Sequence, residues 1–319
     1  MRESIAGYAD AVVEEARQAQ TLGAVADDLD GVNALLGDSE DLRTALSDPG
    51  LGTHVRRAVL TDLFSPRVQP GSLRVLIFSA EADRATEFVE DVSWLAALVA
   101  AARDGLEAVS AGPLGRHAAG ERLGGYASAQ LEQVPDARGL GEVEDEMFRF
   151  MRVVDGSAEL RSALSDRDLP AEARRSLVHD LLANKASPAT TAMAAYATGV
   201  GRPRDYLSLL SELVDRVAEE ANRRIAEVRA AVPMSDEQCR RLGGALQRMT
   251  GRDIDVRVVV DRGVLGGFVA TMGDTVVDGS ARHRLDLLRE RLLMPEASTL
   301  GAPDAATTDP TETSPGEHH

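Results

Sequence analysis

The chain has 319 residues, of which 44% are apolar and only 3% aromatic, so Ala- and Leu-rich cores for two or three domains are available. The 35 basic and 52 acidic residues give a formal net charge of −17, which repels phosphate backbones and anionic lipids and argues against nucleic-acid or direct membrane binding. The single cysteine excludes a disulfide framework and a thiolate metal cluster, and no apolar run approaches the ~18 residues of a membrane span.

Residues 1–104 have the apolar periodicity of a bundle of about six helices. Ser4 is the expected cap of the first helix, and Leu22-Gly23 is the expected break before the second. The predicted helices cover residues 4–20, 25–36, 39–46, 53–64, 70–82 and 86–103. The N-terminal residues have neither an apolar signal core nor the Arg- and Ser-rich composition of a transit peptide, so we expect a cytosolic or peripheral protein.

The chain repeats itself after 118 residues without a gap. Gly7-Tyr8-Ala9 aligns with Gly125-Tyr126-Ala127, and residues 42–48 align with residues 160–166. Roughly 22 of about 58 positions between residues 7 and 64 are identical in the second copy. These matches predict a duplicated domain, with the second helical bundle over residues 123–222.

The second copy differs from the first at Pro135, which replaces Arg17 of the first helix. Proline removes a helical hydrogen bond and clashes with the preceding turn, so this helix should kink or end early. Residues 105–122 contain Gly105, Gly112-Pro113 and Gly115 and are predicted to be a linker, partly helical at its ends.

Residues 223–293 have a mixed pattern that predicts a small α+β domain. Val228, Ala230 and Val232 alternate in a way that favours a strand from about Ala226 over an extension of the preceding helix. Ser235 and Gln238 form a capping box before a helix whose apolar face includes Cys239. We interpret Cys239 as a small core residue.

The last predicted strands lie at 254–260, 268–272 and 275–277, followed by a helix capped by Ser280. Residues 294–319 are rich in Pro, Ala, Thr, Glu and Asp and are expected to form a disordered acidic tail. The fold class is therefore mainly α with a small α+β C-terminal domain: two tandem six-helix bundles followed by a small sheet packed with helices.

No catalytic or ligand-binding pattern is visible. Single histidines such as His54 and His179 occupy non-equivalent positions in the two copies, and a nucleophile elbow is missing. Residues 263–267 lack the lysine and the following helix that a phosphate loop needs, so we interpret their glycines as turn positions. We expect no catalytic residue, no metal and no cofactor.

The run VLGGFVATMGDTVVDGS, followed by an Arg- and Leu-rich helix, resembles the C-terminal signature of the delta subunit family of F-type ATP synthases, which includes the mitochondrial oligomycin sensitivity-conferring protein. Ala270-Thr271 departs from it, because the family has a branched apolar residue followed by a basic one there. The resemblance covers residues 4–293. The signature residues are Val264, Leu265, Gly266, Gly267, Gly273, Asp274, Asp278, Gly279 and Ser280.

The resemblance implies a non-catalytic subunit of the peripheral stalk at the cytoplasmic face of the membrane. Such a subunit links the alpha/beta catalytic head to the b subunit, and its bundle binds the N-terminal helix of an alpha subunit in a groove between its first and fifth helices. The corresponding candidates here are Tyr8, Val12, Val75, Phe78, Tyr126, Met193 and Tyr196. We expect at least half of these to be plain core residues.

The last helix supplies further partner-binding candidates, Arg284, Leu288 and Arg291. The sequence leaves open which bundle binds the alpha subunit, with a slight preference for the first, and what the other bundle does. A helical scaffold unrelated to ATP synthase is the alternative function, but such a protein has no reason to end in this signature.

Overall fold

The structure is a computed structural model, and it describes most of the chain as far as residue 278. The described residues are 2–82, 84–106, 113–223, 225–250, 254–261, 263–264, 266–272 and 275–278. They form a mainly helical molecule with a small four-stranded mixed sheet near the C-terminus, which confirms the predicted fold class.

Six helices form the first bundle, with a 3-10 turn at Ala85–Glu87 before the last of them. They are α1 (Arg2–Gln18), α2 (Leu22–Asp38), α3 (Glu40–Leu46), α4 (Thr53–Phe64), α5 (Pro70–Ala82) and α6 (Phe88–Arg103). The break between α1 and α2 lies at Gln20, whose φ is +58°, and not at Gly23 as the sequence predicted. Ser39 caps α3 by accepting a hydrogen bond from the Leu42 amide at 3.3 Å.

Six helices also form the second bundle, again with a 3-10 turn, at Pro203–Asp205, before the last. They are α7 (Arg116–Glu132), α8 (Ala137–Gly156), α9 (Ala158–Ser165), α10 (Ala171–Leu182), α11 (Pro188–Val200) and α12 (Tyr206–Arg223). The early end before Pro135 is as predicted, because α7 stops at Glu132 and Asp136 then caps α8. The predicted linker 105–122 is too long, because α7 already begins at Arg116.

One continuous apolar cluster contains buried side chains from both bundles. Within the first bundle α2 packs against α6, and α1 and α4 pack against α5; the corresponding pairs of the second bundle are α8 with α12, and α7 and α10 with α11. The cluster passes from one bundle to the other because α1 packs along α7, the most extensive helix pair among the residues that the structure describes. The two bundles therefore share a core.

The C-terminal domain contains β1 (Ile225–Ala230), α13 (Asp236–Thr250), β2 (Asp255–Val260), β3 (Phe268–Met272) and β4 (Thr275–Asp278). The sheet order is β2-β1-β3-β4, with β1 parallel to β2 and antiparallel to β3. In this register Val228 pairs with Val258 on one side and with Ala270 on the other. The parallel pair requires a crossover, which α13 supplies, and Leu246 of α13 packs against the sheet in a second apolar cluster.

Several local predictions for this domain are confirmed. β1 begins one residue before Ala226, and Ser235 and Gln238 exchange the two hydrogen bonds of a capping box, at 2.8 and 3.3 Å. Gly266 and Gly267 have φ values of +69° and +80°, which favour glycine. Cys239 is only half-buried, so it lies at the edge of the core and not inside it.

Part of the predicted site lies outside the described residues. This holds for the signature residues Leu265, Gly273, Asp274, Gly279 and Ser280, for the last-helix candidates Arg284, Leu288 and Arg291, and for the tail 294–319. Of the rest of the signature, Val264 and the two glycines lie in the turn before β3, and Asp278 ends β4.

Candidate functional site: the interface between the two bundles

The two bundles meet where α1 crosses α7 at a pair of glycines. A Cβ atom built on Gly7 would lie 1.7 Å from the carbonyl oxygen of Arg122. A Cβ atom built on Gly125 would lie 1.8 Å from the carbonyl oxygen of Ser4. Both neighbours are backbone atoms, which cannot rotate aside, so only glycine fits at either position. Gly125 follows Gly7 by 118 positions and Arg122 follows Ser4 by the same number, so equivalent residues form the two contacts.

Aromatic rings flank the crossing on both sides. Tyr8 stacks on Phe78 of α5 with ring centroids 4.2 Å apart, and Tyr126 stacks on Tyr196 of α11 at 3.9 Å. The Tyr8 hydroxyl donates to Glu132 of α7 at 2.5 Å. Thus Tyr8, with Phe78 stacked on its ring, lies beside the first helix of the second bundle.

The same contact recurs in the opposite direction, because the Tyr126 hydroxyl donates to Glu14 of α1 at 2.7 Å. Burial, reinforced by the neighbouring carboxylate of Glu132, raises the pKa of Tyr8 well above its ordinary value. Burial and Glu14 raise the pKa of Tyr126 in the same way. Both phenols are therefore neutral donors that join the two bundles.

A charged cluster lies at one end of the crossing. Arg122 of α7 contacts Asp10 of α1 at 2.9 Å and Glu3 at 3.3 Å, and it also donates to the Tyr196 hydroxyl at 3.3 Å. Tyr196 in turn donates to Asp10 at 2.5 Å. Burial lowers the pKa of Arg122, but Asp10 and Tyr196 more than offset this effect, so the guanidinium is held in its charged form.

The structure places five of the ten predicted partner-binding residues in the apolar core. Tyr8, Val12, Val75, Tyr126 and Met193 are each at most 2% exposed and belong to the shared core. Phe78 and Tyr196 are half-buried; Phe78 stacks on Tyr8, and Tyr196 bonds to Asp10 of the other bundle. The partner-binding groove between the first and fifth helices stays a prediction; in the structure the hydroxyls of two of its residues, Tyr8 and Tyr126, bond to the other bundle.

Buried arginines, which we did not predict as important residues, hold the fourth and fifth helices together. Arg56 of α4 donates to the carbonyl oxygen of Ala80 at 3.0 Å, and Arg174 of α10 donates to that of Thr198 at 3.1 Å. Arg174 follows Arg56, and Thr198 follows Ala80, by 118 positions. The signal was present in the sequence, since Arg56 and Arg174 are identical residues 118 positions apart.

A carboxylate caps the fifth helix of each bundle. Asp28 accepts hydrogen bonds from the amide of Gln69 and the hydroxyl of Ser72 at 2.6 and 2.8 Å. Glu146 accepts from the Ser187 amide and the Thr190 hydroxyl at 2.8 and 2.7 Å. Negative charge at a helix N-terminus is favourable, so these contacts fix the fifth helices that carry Phe78 and Tyr196.

The polar groups of this region are engaged in packing contacts between helices. Within the part of the chain that the structure describes, no three His, Cys, Asp or Glu side chains are placed to hold a metal ion. A search of the same residues finds no helix that is both long and apolar enough to cross a membrane. The fold and this interface define a mainly helical protein whose two bundles form one block beside a small mixed sheet.

Comparison with known proteins places this fold in a family. The model of the ATP synthase delta (OSCP) subunit family matches residues 5–116 and 124–292. The ATP synthase subunit delta of Kineococcus radiotolerans is 36% identical over 270 residues, which are 85% of this chain and 88% of that protein. The protein of the same name from Salinispora arenicola is 35% identical over 283 residues, or 89% and 93% of the two chains.

The chain belongs to the ATP synthase delta (OSCP) family. It is thus a non-catalytic peripheral-stalk subunit of an F-type ATP synthase, a peripheral part of a membrane complex. The family resemblance of residues 264–280 is confirmed. The alternative of a helical scaffold unrelated to ATP synthase is not favoured.

Proposed function

We propose that this chain connects the alpha/beta catalytic head to the b subunit at the cytoplasmic face of the membrane. A connection of this kind keeps the head from turning with the rotor, so that proton-driven rotation is coupled to ATP synthesis. Family membership supports this role, and the observation that carries it is the core shared by the two bundles. Close-packed interiors have low compressibility, so a block with one core transmits force with little deformation.

The N-terminal helix of an alpha subunit is the partner that we propose for the helical block. Because Tyr8, Val75 and Tyr126 are buried, and the hydroxyls of the two tyrosines bond to the other bundle, this helix binds the outer faces of the closed block. The proposal therefore differs from the groove that the sequence suggested. For the b subunit we retain the C-terminal domain and the helix predicted after it, including Arg284, Leu288 and Arg291, as the proposed binding region.

We also propose that the two bundles are copies of one ancestral unit. Helices α10 and α11 begin and end 118 residues after α4 and α5. The glycine crossing, the stacked rings, the Arg56 and Arg174 bonds and the carboxylate caps recur with the same spacing. In this proposal the second bundle forms a longer and stiffer block together with the first.

Two experiments test the proposed role. Affinity purification of the tagged chain from solubilised membranes should recover the alpha, beta and b subunits together, and recovery of none of them would refute the connection. Isothermal titration of the intact chain with a peptide of the alpha N-terminal helix should release heat. A chain in which Gly7→Leu forces the bundles apart is the comparison, and binding seen with that variant alone would show that the helix needs the buried groove.

A further inference from the structure

The α1–α7 interface has two ends that are equivalent in position but different in chemistry. At one end Asp10 of the first bundle meets Arg122 and Tyr196 of the second. The residues at the equivalent positions of the other bundle, 118 positions away, are Ser128, Ser4 and Phe78 respectively. The charged set therefore occurs at one end, and two serines and a phenylalanine occupy the other.

The charged end depends on contributions from both bundles. Asp10 receives hydrogen bonds from Arg122 at 3.0 Å and from Tyr196 at 2.5 Å, both of which belong to the second bundle. The side chains of Asp10 and Arg122 are 28% and 27% exposed, so water screens their attraction only in part.

At the other end, the hydrogen bonds of the Ser128 hydroxyl are made within the second bundle. Ser128 donates to the Gly124 carbonyl oxygen at 3.1 Å and accepts a hydrogen bond from Arg216 at 3.1 Å. Gly124, Ser128 and Arg216 all lie in the second bundle. No charge has to be matched across the interface by Ser128 or Ser4.

Because of this difference, a pair of unlike bundles (the first with the second) makes contacts that a pair of like bundles (two first or two second bundles) does not make. If two first bundles paired through the same surface, Asp10 would face Ser4 and Phe78, which supply no cation and no phenolic donor. If two second bundles paired, Arg122 would face Ser128 and lose the carboxylate of Asp10. A partly buried charge without its partner is costly, and such costs are how specific interfaces reject wrong partners.

We propose that the cluster of Asp10, Arg122 and Tyr196 makes the surface around α1 of the first bundle specific for the second bundle and closes it against a second copy of the first. The glycine crossing, the stacked rings and the tyrosine–glutamate bonds are present at both ends, so they stabilise any pairing alike. The charged cluster is a part of the interface that distinguishes them. The inference concerns pairing within this chain and stands independently of the stalk function.

In the intact chain the covalent connection alone favours pairing of the first bundle with the second. Cutting the chain removes this effect, so the pairing that remains reports the preference of the two surfaces for each other. A protease site is placed in the connection between α6 and α7, in residues 107–112, and the folded full chain is cut after purification. Native mass spectrometry then identifies complexes of unlike and like fragments, whose masses differ. The expected result is unlike pairs alone, whereas a mixture containing like pairs would overturn the proposal.

Serine substitutions at Asp10 and Arg122 give the charged end the serines that the other end has at the equivalent positions. Arg122→Ser leaves Asp10 without its cation, and we expect the unlike fragments to dissociate about tenfold faster. The double variant Asp10→Ser/Arg122→Ser has serine at both of these positions at each end, which leaves only the difference between Tyr196 and Phe78 within this set, and like pairs should appear. Arg138→Ser is the matched control, because it removes a guanidinium from the exposed Arg138–Glu142 pair of α8; it should change neither rate nor pairing.

The intact chain provides a second measurement that does not need cutting. In urea unfolding, Asp10→Ser and Arg122→Ser together should destabilise the chain less than the sum of the two single changes, because each single change leaves a charge unpaired. Additive effects would contradict the proposal, as would a double variant that still forms unlike pairs alone.

Discussion

Replacing Gly7 with alanine perturbs the α1–α7 crossing with a single methyl group. The new Cβ atom would lie 1.7 Å from the Arg122 carbonyl oxygen, whereas real Cβ contacts are essentially never shorter than 3.0 Å. The helices must therefore separate by at least 3.0 − 1.7 = 1.3 Å along this contact. A gap of about 1 Å already loses up to half of the dispersion energy of the atoms that face it.

The expected cost of Gly7→Ala is the difference between two effects. Overpacking costs typically about 1–3 kcal/mol, and the upper end applies here because the obstacle is backbone. Alanine gains about 1 kcal/mol over glycine inside a helix. We therefore expect a net loss of about 2 kcal/mol in the free energy of unfolding.

Urea unfolding followed by circular dichroism measures this loss. Gly31→Ala is the matched control, because Gly31 is also helical and a Cβ atom there meets nothing within 4 Å. The control should be stabilised by up to about 1 kcal/mol. Gly7→Ala and Gly125→Ala combined should cost less than the sum of the two, since one separation of the helices relieves both contacts. If Gly7→Ala were as stable as Gly31→Ala, the close crossing would be refuted.

Three further predictions concern single side chains. Tyr8→Phe removes the bond to Glu132 and should cost about 1.5–3 kcal/mol in urea unfolding. The pKa of Tyr8 is raised in the folded chain, so its stabilising contribution is present below the unfolded value of 10.0 and is lost as pH rises above it. The melting temperature of the parent should therefore fall more steeply above pH 10.0 than that of the variant. Arg174→Ala, which frees the carbonyl oxygens of Asp166, Leu169 and Thr198, should destabilise the chain more than Arg56→Ala, and equal losses in urea would contradict this. Burial raises the pKa of Glu146, but the hydrogen bonds from Ser187 and Thr190 lower it by more, so the folded pKa lies below the ordinary value. The contribution of Glu146 to the free energy of unfolding should therefore be present above pH 4.5 and be lost as pH falls below it. An acid titration of stability in which Glu146→Gln has the same profile as the parent would refute that role.

Local features of the fold were predictable because neighbouring residues decide them. Pro135 ends α7 early through its missing amide, and Gly266 and Gly267 occupy positions with positive φ before β3. Gln20 was not predicted as the end of α1, because Gly23 is the stronger sequence signal for a break. In the structure Gly23 lies inside α2, where a Cβ atom would meet nothing within 4 Å.

The candidate site was predictable in part. The sequence predicts Tyr8, Phe78, Tyr126 and Tyr196 as residues between first and fifth helices, and the structure brings the three tyrosines to one interface, with Phe78 stacked on Tyr8. Their partner was not predictable, because helical periodicity gives the face of a residue but not what covers that face. One signal was missed: glycine inside a helix costs about 1 kcal/mol, so its occurrence at Gly7 and again 118 residues later indicates a close contact.

The sequence alone determined the family, the helices of each bundle, the strands and the absence of any recognisable catalytic motif. These properties depend on spacing over a few residues or on a short ordered signature such as residues 264–280. The tertiary structure decided that the two bundles share one core and that α1 and α7 cover each other's aromatic surfaces. Docking of this kind depends on the fit between two surfaces that exist only after each bundle has folded, so apart from the two helical glycines the local sequence carries no signal of it.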